Sequence, residues 1–364
     1  MKMKKKWMIY GAYGYTGELL SYEAIKRGHK PVLAGRSTEK LIPLAKKLDL
    51  DYIIFDLDDE NKIFNIVKDF DLVFNSAGPY KYTNDPMVKS CLKAGVNYLD
   101  VTGELPIMEK NFTYDQQARD QDIAVISGVG FDVVPTDCMA KYVSDKIINP
   151  THLEIAIAGI GGGVSAGTLK TMLEYSSMGT LIRKDGQLVK PLDRETRKIR
   201  FLDKERKVNP ISWGDLSTAY RSTGIPNIVT YFPLLKMTSS LKSQSNDKES
   251  KEFDIKERIK WVEKNIHGPD EKTRLRSKSQ IWVHAFNDRG ENSQAWLETM
   301  EGYRFTAIAG IRSVEKVFEL EPKGVLTPSL AFGTDFILEF PETMRIDAID
   351  EYIPQKKRKV IAAQ

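Results

Sequence analysis

A glycine-rich loop near the start of the chain limits its fold more than any other feature. A short apolar run at residues 7–10 is typical of a β-strand, and the apolar spacing after residue 17 is typical of a helix. A strand, closely spaced glycines and a helix form the unit that holds a pyrophosphate, because glycine lets the backbone approach the ligand and the helix start offers free N–H groups. The sequence therefore predicts a dinucleotide-binding loop that consists of Gly11, Ala12, Tyr13, Gly14, Tyr15, Thr16 and Gly17.

The end of the second predicted strand indicates which dinucleotide binds. Residues 30–34 are strand-like and are followed by Gly35, Arg36 and Ser37. This position lies at the adenosine ribose in such folds, where an acidic residue would bond the 2′-hydroxyl and repel a 2′-phosphate. Arg36 stands there instead, and a guanidinium pairs with phosphate in a forked geometry. We therefore predict NADP(H) rather than NAD(H) as the cofactor, with Arg36 and Ser37 among its contacts.

Strands and helices continue to alternate up to about residue 150. The apolar runs that indicate strands lie at residues 7–10, 30–34, 52–55, 71–75, 98–101 and 123–126. This pattern is typical of the α/β class with a Rossmann-type, doubly wound parallel sheet, whose ligands bind beyond the carboxyl ends of the strands. We therefore expect further cofactor contacts at Asp56, Ser76, Ala77, Gly78 and Pro79, with the segment 102–104 beside them.

Composition excludes several classes of protein. The chain has 364 residues and a formal net charge of +4, which is too mild for this length to indicate a nucleic-acid partner. No apolar run approaches the ~20 residues of a transmembrane helix, and the lysines near the start lack the hydrophobic segment of a secretory signal. The two cysteines, Cys91 and Cys138, are too few for a disulfide framework, and no metal-ligand spacing occurs. We expect a cytoplasmic protein that binds no metal.

The pattern of elements changes after residue 150, and we place a domain boundary there. We assign residues 1–150 to the NADP-binding Rossmann domain and residues 151–303 to an inserted α+β domain. Residues 304–364 are assigned to terminal helices that return to the Rossmann domain, followed by a tail.

Several segments beyond the first domain carry a local signal. The glycines at 159–163 indicate a flexible turn, and the dense charges of residues 183–210 predict a solvated face or an insertion. Residues 238–280 are polar and lysine-rich, and a helix is predicted over residues 332–340. The basic run 355–360 is typical of a solvated terminus and leaves peripheral contact with anionic lipid open.

Six segments carry motifs of one family, namely residues 11–17, 77–80, 91–104, 130–137, 218–226 and 326–333. Together they resemble the saccharopine dehydrogenase-like oxidoreductases, and the similarity is closest to the subgroup described as trans-acting enoyl reductases. The family usually has threonine where this chain has Tyr13, and residues 183–280 match least. The resemblance implies an NADP-binding Rossmann domain with an inserted substrate domain, usually in a homodimer.

Three side chains on predicted strand-end loops are candidates for catalysis. Hydride transfer needs an acid or a hydrogen-bond donor against the charge that develops on the substrate. Tyr80, Glu104 and Asp132 can supply it, but each also has a structural interpretation. Tyr80 can pack the loop, Glu104 can cap a helix, and Asp132 can order a turn. Arg221 is the candidate cation for a substrate carboxylate.

Three functions agree with these residues. The leading hypothesis is an NADP(H)-dependent oxidoreductase that transfers hydride to an unsaturated, enoyl-type substrate, which is a small molecule or an acyl group tethered to a carrier. The second is saccharopine-like C–N chemistry on an amino-acid adduct. The third is a non-catalytic protein that binds NADP(H) for regulation or as a scaffold.

A cysteine mechanism is a further alternative. The glycine loop also resembles that of N-acetyl-glutamyl-phosphate reductases, which use a cysteine nucleophile. Such chemistry needs a thiolate on an exposed loop near a base. Cys138 begins an apolar helix with no histidine close in sequence, so the pattern does not favour this alternative.

Replacing Arg36 with aspartate tests the assignment of the cofactor. The change removes a cation and adds a repulsive charge at the 2′-phosphate, so the affinity for NADPH should fall by about tenfold or more. The affinity for NADH, which lacks this phosphate, should change much less. Calorimetric titration with each nucleotide measures both effects. Equal losses for the two nucleotides would show that Arg36 does not contact the 2′-phosphate.

Overall fold

The structure, a computed structural model, describes residues 5–175, 179–192, 196–233 and 248–352. Up to residue 150, strands and helices alternate as the sequence predicts. The strands here are β1 (Trp7–Tyr10), β2 (Val32–Gly35), β3 (Tyr52–Ile54), β4 (Leu72–Asn75), β5 (Asn97–Asp100) and β6 (Ala124–Ile126). The helices are α1 (Tyr15–Lys26), α2 (Thr38–Leu48), α3 (Glu60–Val67), α4 (Tyr80–Ala94), α5 (Leu105–Phe112), α6 (Asp115–Asp120) and α7 (Val134–Ser144).

The rest of the chain contains longer strands and fewer helices. The next strands are β7 (His152–Ile160), β8 (Ile182–Lys184), β9 (Gln187–Val189), β10 (Arg197–Arg200), β11 (Glu205–Ile211), β12 (Asn227–Pro233), β13 (Lys278–Phe286) and β14 (Asn292–Met300). The helices among them are α8 (Ala166–Tyr175), α9 (Asp215–Thr223), α10 (Lys248–Asn265) and α11 (Glu271–Arg276). The described part of the chain ends with α12 (Gly302–Leu320), β15 (Gly324–Leu326), α13 (Pro328–Phe332), a 3-10 turn (Thr334–Glu339), β16 (Met344–Ile346) and a second 3-10 turn (Ile349–Glu351). Within the described ranges, every helix is too short or too polar to cross a membrane.

The first sheet is the Rossmann-type sheet that the sequence predicts. Its seven strands are all parallel and lie in the order β15-β6-β5-β4-β1-β2-β3. The prediction of six strands is therefore incomplete, because β15 comes from the C-terminal part and pairs with β6. β15 has only three residues, which is too short for a periodic pattern to reveal.

The second sheet is mixed and has a main path β10-β11-β12-β7-β13-β14-β16, while β8 pairs with β12 and β9. Residues 183–210, predicted as a solvated face or an insertion, form β8 to β11, strands that the sequence did not predict. Ile199, Phe201 and Val208 are buried there, between charged residues that are mostly exposed. Buried apolar residues alternate here with exposed charged ones, as in strands with one face in the core, but the many charges hide this alternation in the sequence.

The predicted helix over residues 332–340 is interrupted in the structure. α13 ends at Phe332, and Gly333 adopts φ +86° before a 3-10 turn begins. A residue with this backbone angle cannot continue a right-handed helix, so the glycine separates the two pieces. The strand β16 then pairs with β14 of the second sheet, so this part of the chain does not return only to the first sheet. Residues 355–360, the predicted basic tail, and residues 234–247 lie outside the described residues.

The helix α12 connects the two apolar cores. Near its start, Phe305 and Ala309 belong to the core beneath the second sheet. Further along, Ile311 and Val314 belong to the core between the first sheet and α1. Because one helix supplies side chains to both cores, it fixes the two sheets against each other.

Gly310 allows α12 to lie directly on the first sheet. A Cβ atom at this position would stand 2.7 Å from Cδ2 of Leu20 and 3.0 Å from Cζ of Phe74, and both of these side chains are fully buried. A helical glycine costs stability by itself, so the close approach explains why it is present.

Replacing Gly310 with valine should destabilise the fold. The added methyl groups would overlap the buried Leu20 and Phe74 side chains, and such overpacking typically costs about 1–3 kcal/mol. Denaturant unfolding followed by circular dichroism measures the loss. Leu320→Val, at the exposed end of α12, is the control, with an expected change within about 0.5 kcal/mol. Similar losses in both variants would contradict the packing role of Gly310.

Candidate functional site

The glycine loop packs directly against the end of β4. Gly11 has φ +81°, and a Cβ atom there would lie 2.8 Å from the backbone nitrogen of Ala77. A Cβ atom at Gly17 would lie 2.8 Å from the Cα atom of Ala12 and from the hydroxyl of Ser76. Both positions therefore require glycine, which keeps the backbone free of side chains where a ligand approaches.

The start of α1 offers a site for an anion. The N–H of Gly14 donates to the carbonyl of Gly11 (3.0 Å), and the N–H of Glu18 donates to the carbonyl of Gly14 (2.8 Å). The N–H groups of residues 15–17 precede that first intrahelical bond and point out of the helix start. Together with the positive end of the helix dipole, they suit a pyrophosphate.

The adenosine end of the site lies at the carboxyl end of β2. Arg36 is exposed and makes no hydrogen bond or ion pair with the described residues, so its guanidinium is open to a phosphate. Ser37 precedes α2 and donates its hydroxyl to Glu39 (3.0 Å). Asp56, at the end of β3, pairs with Lys62 at 3.7 Å. A dinucleotide with a 2′-phosphate thus finds a cation where the sequence predicts one.

The segment after β4 forms the wall beside the glycine loop. The hydroxyl of Ser76 donates to the carbonyl of Tyr10 (2.9 Å), and the N–H of Ala77 donates to Oδ1 of Asn75 (3.0 Å). The peptide bond between Gly78 and Pro79 is cis. Because the Ser76 hydroxyl is already hydrogen-bonded to the backbone, this segment presents chiefly main-chain atoms to a ligand.

Glu104 caps the helix α4 from a distance. Its buried carboxylate accepts hydrogen bonds from the N–H groups of Tyr80 (2.8 Å) and Lys81 (3.0 Å), and from the hydroxyls of Tyr175 (2.8 Å) and Thr171 (3.4 Å). Burial raises the pKa of Glu104, and these hydrogen bonds oppose that shift. The capping interpretation therefore describes Glu104, although the helix is α4 and not the one that follows it in the chain. This cap helps to fix the start of α4 at Tyr80.

The hydroxyl of Tyr80 points into the fold. Its side chain is buried, and the hydroxyl donates to the carbonyl of Asn75 (3.3 Å). Burial, with the nearby charges of Asp100 and Glu104, raises the pKa of Tyr80 well above its usual value. The packing interpretation thus agrees with its position, and the hydroxyl does not face a substrate in this arrangement.

Asp132 lies on the loop between β6 and α7, beside the segment that follows β5. A Cβ atom at Gly103 would stand 3.2 Å from Oδ2 of Asp132, so glycine allows the two loops to meet. The side chain is half-buried and makes no ion pair with the described residues. Burial raises the pKa of Asp132 to about 7, which suits a group that exchanges protons near neutral pH.

A second acid that sequence reasoning missed lies behind Asp132. Asp215 begins α9 and is fully buried, next to Gly214, whose missing Cβ leaves room for the carbonyl of Gly103 at 3.2 Å. Burial raises the pKa of Asp215 to about 8, while the Thr136 hydroxyl opposes the shift and the charges of Asp132 and Asp137 add to it. No motif reveals Asp215, because only the fold brings α9 beside the loop after β5.

The predicted substrate cation lies elsewhere on the molecule. The guanidinium of Arg221 pairs with Asp115 (3.1 Å) and lies 5.3 Å from the ring centre of Phe112. The structure brings a different guanidinium to the glycine loop, that of Arg274, which donates to the hydroxyl of Tyr15 (2.9 Å). Arg274 is 259 residues away in sequence, so no local pattern could find it.

Tyr303 joins the glycine loop to α8. Its ring meets that of Tyr15 edge to face, with 5.0 Å between the ring centres. Its hydroxyl accepts a hydrogen bond from the N–H of Ser165 (2.7 Å) and lies 2.8 Å from the hydroxyl of Thr168. Since α8 also contacts Glu104 through Tyr175, this helix spans from the loop after β5 to the glycine loop. The candidate site is therefore framed by both sheets.

Cys138 does not form a nucleophilic centre. It is fully buried in α7, and burial raises the pKa of its thiol well above the usual value. Cys91 is buried in α4, and burial raises its pKa as well. Neither thiol is therefore ready to ionise, which disfavours a cysteine mechanism.

Comparisons with known proteins agree with this site. Residues 7–129 match the family model described as the saccharopine dehydrogenase NADP binding domain. Over 160 residues, the chain is 28% identical to the saccharopine dehydrogenase-like oxidoreductase of Bos taurus, with 38% of this chain and 37% of that protein covered. Over 183 residues, it is 28% identical to a Mycobacterium tuberculosis protein named as a trans-acting enoyl reductase, with 47% and 44% covered. A lipid droplet localized protein of Caenorhabditis elegans is 26% identical over 185 residues, with 46% and 43% covered.

These matches concern part of each relative, because the chain spans less than half the length of the curated proteins it matches. A solved structure extends the similarity to the whole fold. The apo saccharopine dehydrogenase (L-Glu forming) of Saccharomyces cerevisiae has a TM-score of 0.63 and 12% identity, with 94% of this chain and 100% of that chain covered. At this identity the likeness concerns the fold, and it confirms the predicted Rossmann-type sheet with a second, mixed sheet.

The family model and the site geometry lead to one assignment. The glycine loop, the helix start and Arg36 all lie within or beside the parallel sheet that the family model covers. Residues 7–129 therefore match the saccharopine dehydrogenase NADP binding domain, and the cofactor of this chain is NADP(H).

Proposed function

We propose that this protein is an NADP(H)-dependent reductase that adds hydrogen across the double bond of an enoyl-type substrate. The observation that carries the proposal is the half-buried carboxyl of Asp132, beside Gly103 at the carboxyl ends of the parallel strands. Ligands of doubly wound sheets bind at this edge, so a substrate that meets the cofactor also meets this acid. When bound, NADPH supplies the hydride.

Asp132 is suited to supply the proton. A pKa of about 7 keeps its carboxyl partly protonated near neutral pH, and none of the described residues places a cation beside it. In the proposed reduction, Asp132 would give its proton to one carbon of the double bond, and the other carbon would take the hydride that bound NADPH supplies as it is oxidised to NADP⁺. The carboxylate that is left recovers its proton from solvent, since the side chain is half-exposed.

The side chains around Asp132 favour a substrate with few carboxylates. Asp132, Asp215 and Glu104 are acids and cannot clamp a substrate carboxylate, whereas an amino-acid adduct of the saccharopine type needs cations that do so. The predicted clamp, Arg221, is engaged by Asp115. An acyl substrate carries no carboxylate at its reacting end, so it needs no such clamp.

The names of two relatives also support an acyl substrate. One relative is named as a trans-acting enoyl reductase, and another as a lipid droplet localized protein. The substrate is therefore proposed to be an enoyl thioester, either free or tethered to a carrier. The homodimer and the cytoplasmic location stay predictions from the sequence.

The reaction can be tested by NADPH oxidation with two sets of substrates. We expect turnover with trans-2-enoyl thioesters, and none with pairs of an amino acid and an aldehyde or 2-oxo acid. Turnover with the second set alone would overturn the proposal in favour of C–N chemistry. Tight binding of NADPH without turnover of either set would support a regulatory or scaffold protein.

Replacing Asp132 with asparagine should remove the proton donor and keep the shape of the side chain. The rate constant kcat should fall by about 10² or more, which is the usual contribution of a general acid. In the unchanged protein, kcat should fall as the pH rises above about 7, because the acid form is lost, and the variant should lose this dependence. Steady-state kinetics between pH 5.5 and 9 measures both effects.

The control for this experiment is Asp49→Asn, which changes an exposed carboxyl far from the site. It should leave kcat and its pH profile unchanged, and both variants should bind NADPH as tightly as the unchanged protein. An Asp132→Asn variant with the original kcat and pH profile would show that another group donates the proton.

Replacing Asp215 with asparagine should change how stability depends on pH. The pKa of Asp215 is about 8 in the folded state and about 3.9 when unfolded, so the folded state binds more protons between these values. Its contribution to stability is therefore complete below about pH 4 and decreases as the pH rises towards 8. The variant should lack this decrease, which amounts to a few kcal/mol at most. Urea unfolding at pH 5 and pH 8 measures the difference.

Asp49→Asn again provides the matched control, with the same pH dependence of stability as the unchanged protein. An Asp215→Asn variant whose stability falls between pH 5 and pH 8 as steeply as that of the control would contradict the raised pKa of Asp215.

A further inference from the structure

We propose that the hydroxyl of Tyr13 completes the 2′-phosphate site with Arg36 and Ser37, and so contributes to the selectivity for NADP(H). This inference concerns the NADP-binding domain and does not depend on the reaction proposed above. It gives a role to the Tyr13 side chain, which the binding of the pyrophosphate does not require.

The ring of Tyr13 lies on the end of β2. A Cβ atom at Gly35 would stand only 2.5 Å from Cε1 and 3.4 Å from Cζ of Tyr13, so the ring occupies the space above this glycine. Gly35 immediately precedes Arg36, the predicted contact of the 2′-phosphate. The phenol is therefore next to the place where the adenosine ribose of a bound dinucleotide lies.

The ring is held while its hydroxyl stays open. Tyr13 is half-buried and packs against the core that includes Leu33 and Leu41. Among the described residues, no group forms a hydrogen bond with the Tyr13 hydroxyl. A ring fixed by packing with an open hydroxyl loses little conformational entropy when that hydroxyl binds a ligand.

The surroundings of the hydroxyl suit a phosphate. α2 begins at Thr38, and the first N–H groups of this helix donate no hydrogen bond to the side chain of Ser37. The exposed guanidinium of Arg36 adds a cation on the same turn. Two carboxylates are already present at this end of the site. Asp56 pairs with Lys62, and Glu39 accepts from the Ser37 hydroxyl, a bond that must open for Ser37 to reach a phosphate.

The chemistry of the two cofactors makes this arrangement selective. A 2′-phosphate accepts hydrogen bonds from the guanidinium, the two hydroxyls and the helix start at once. NADH has only a 2′-hydroxyl at this position, which cannot accept from all of them. The Tyr13 hydroxyl should therefore strengthen the binding of NADPH and have little effect on that of NADH.

Tyr13→Phe tests the proposal because it removes the hydroxyl and keeps the ring. We expect the Kd for NADPH to rise about tenfold or more, as for a lost hydrogen bond to a charged group, and the Kd for NADH to stay the same. Calorimetric titration of the full chain, without substrate, measures both constants. Tyr22→Phe, on the exposed side of α1, is the matched control and should change neither.

A second variant guards against a purely structural effect. Gly35→Ala should displace the Tyr13 ring, because the new methyl group would overlap Cε1, and the Kd for NADPH should rise more than that for NADH. In the Tyr13→Phe background, the same change should no longer affect the ratio of the two constants, since the hydroxyl is already absent. Thermal melting shows whether each variant is folded. If Tyr13→Phe weakens both nucleotides equally, or neither, the proposal is wrong.

Discussion

The close approach between the glycine loop and the end of β4 is the constraint on which the site depends. At Gly11, any side chain would overlap Ala77, and at Gly17 it would overlap Ala12. These contacts bring the start of α1 to the carboxyl edge of the parallel sheet, where its N–H groups meet a pyrophosphate. Larger residues at either position would separate the loop from the sheet and move the anion site with it.

The second sheet takes part in this site through a small number of polar contacts. Glu104 joins the start of α4 to Tyr175 of α8, and Tyr303 joins α8 to Tyr15 in the glycine loop. α12 supplies side chains to the cores of both sheets and thus holds the residues of these contacts in place. Side-chain contacts on α8 therefore connect the loop after β5 to the glycine loop.

The polar groups of the site divide into those that build it and those that remain available. The polar atoms of Glu104 and Tyr80 form hydrogen bonds with backbone groups, and these bonds stabilise the loops after β4 and β5. Asp132 is half-buried, and within the described ranges no cation lies beside it, while Asp215 is buried close by. Burial makes the ionised form of both acids costly, and this cost is what gives Asp132 a pKa suited to proton transfer.

The sequence alone determined the α/β class, the NADP(H)-binding loop and the position of Arg36, because a glycine loop between a strand and a helix is a local pattern. It could not decide which way Tyr80 points, that Glu104 caps α4, or that Arg221 pairs with Asp115, since each depends on a partner distant in the chain. Nor did any pattern reveal β15, Asp215 or Arg274. Only the tertiary structure brings Asp215 and Arg274 to the site and pairs β15 with β6. Their contacts, and the burial that raises the pKa of Asp215, arise only when elements distant in the chain meet.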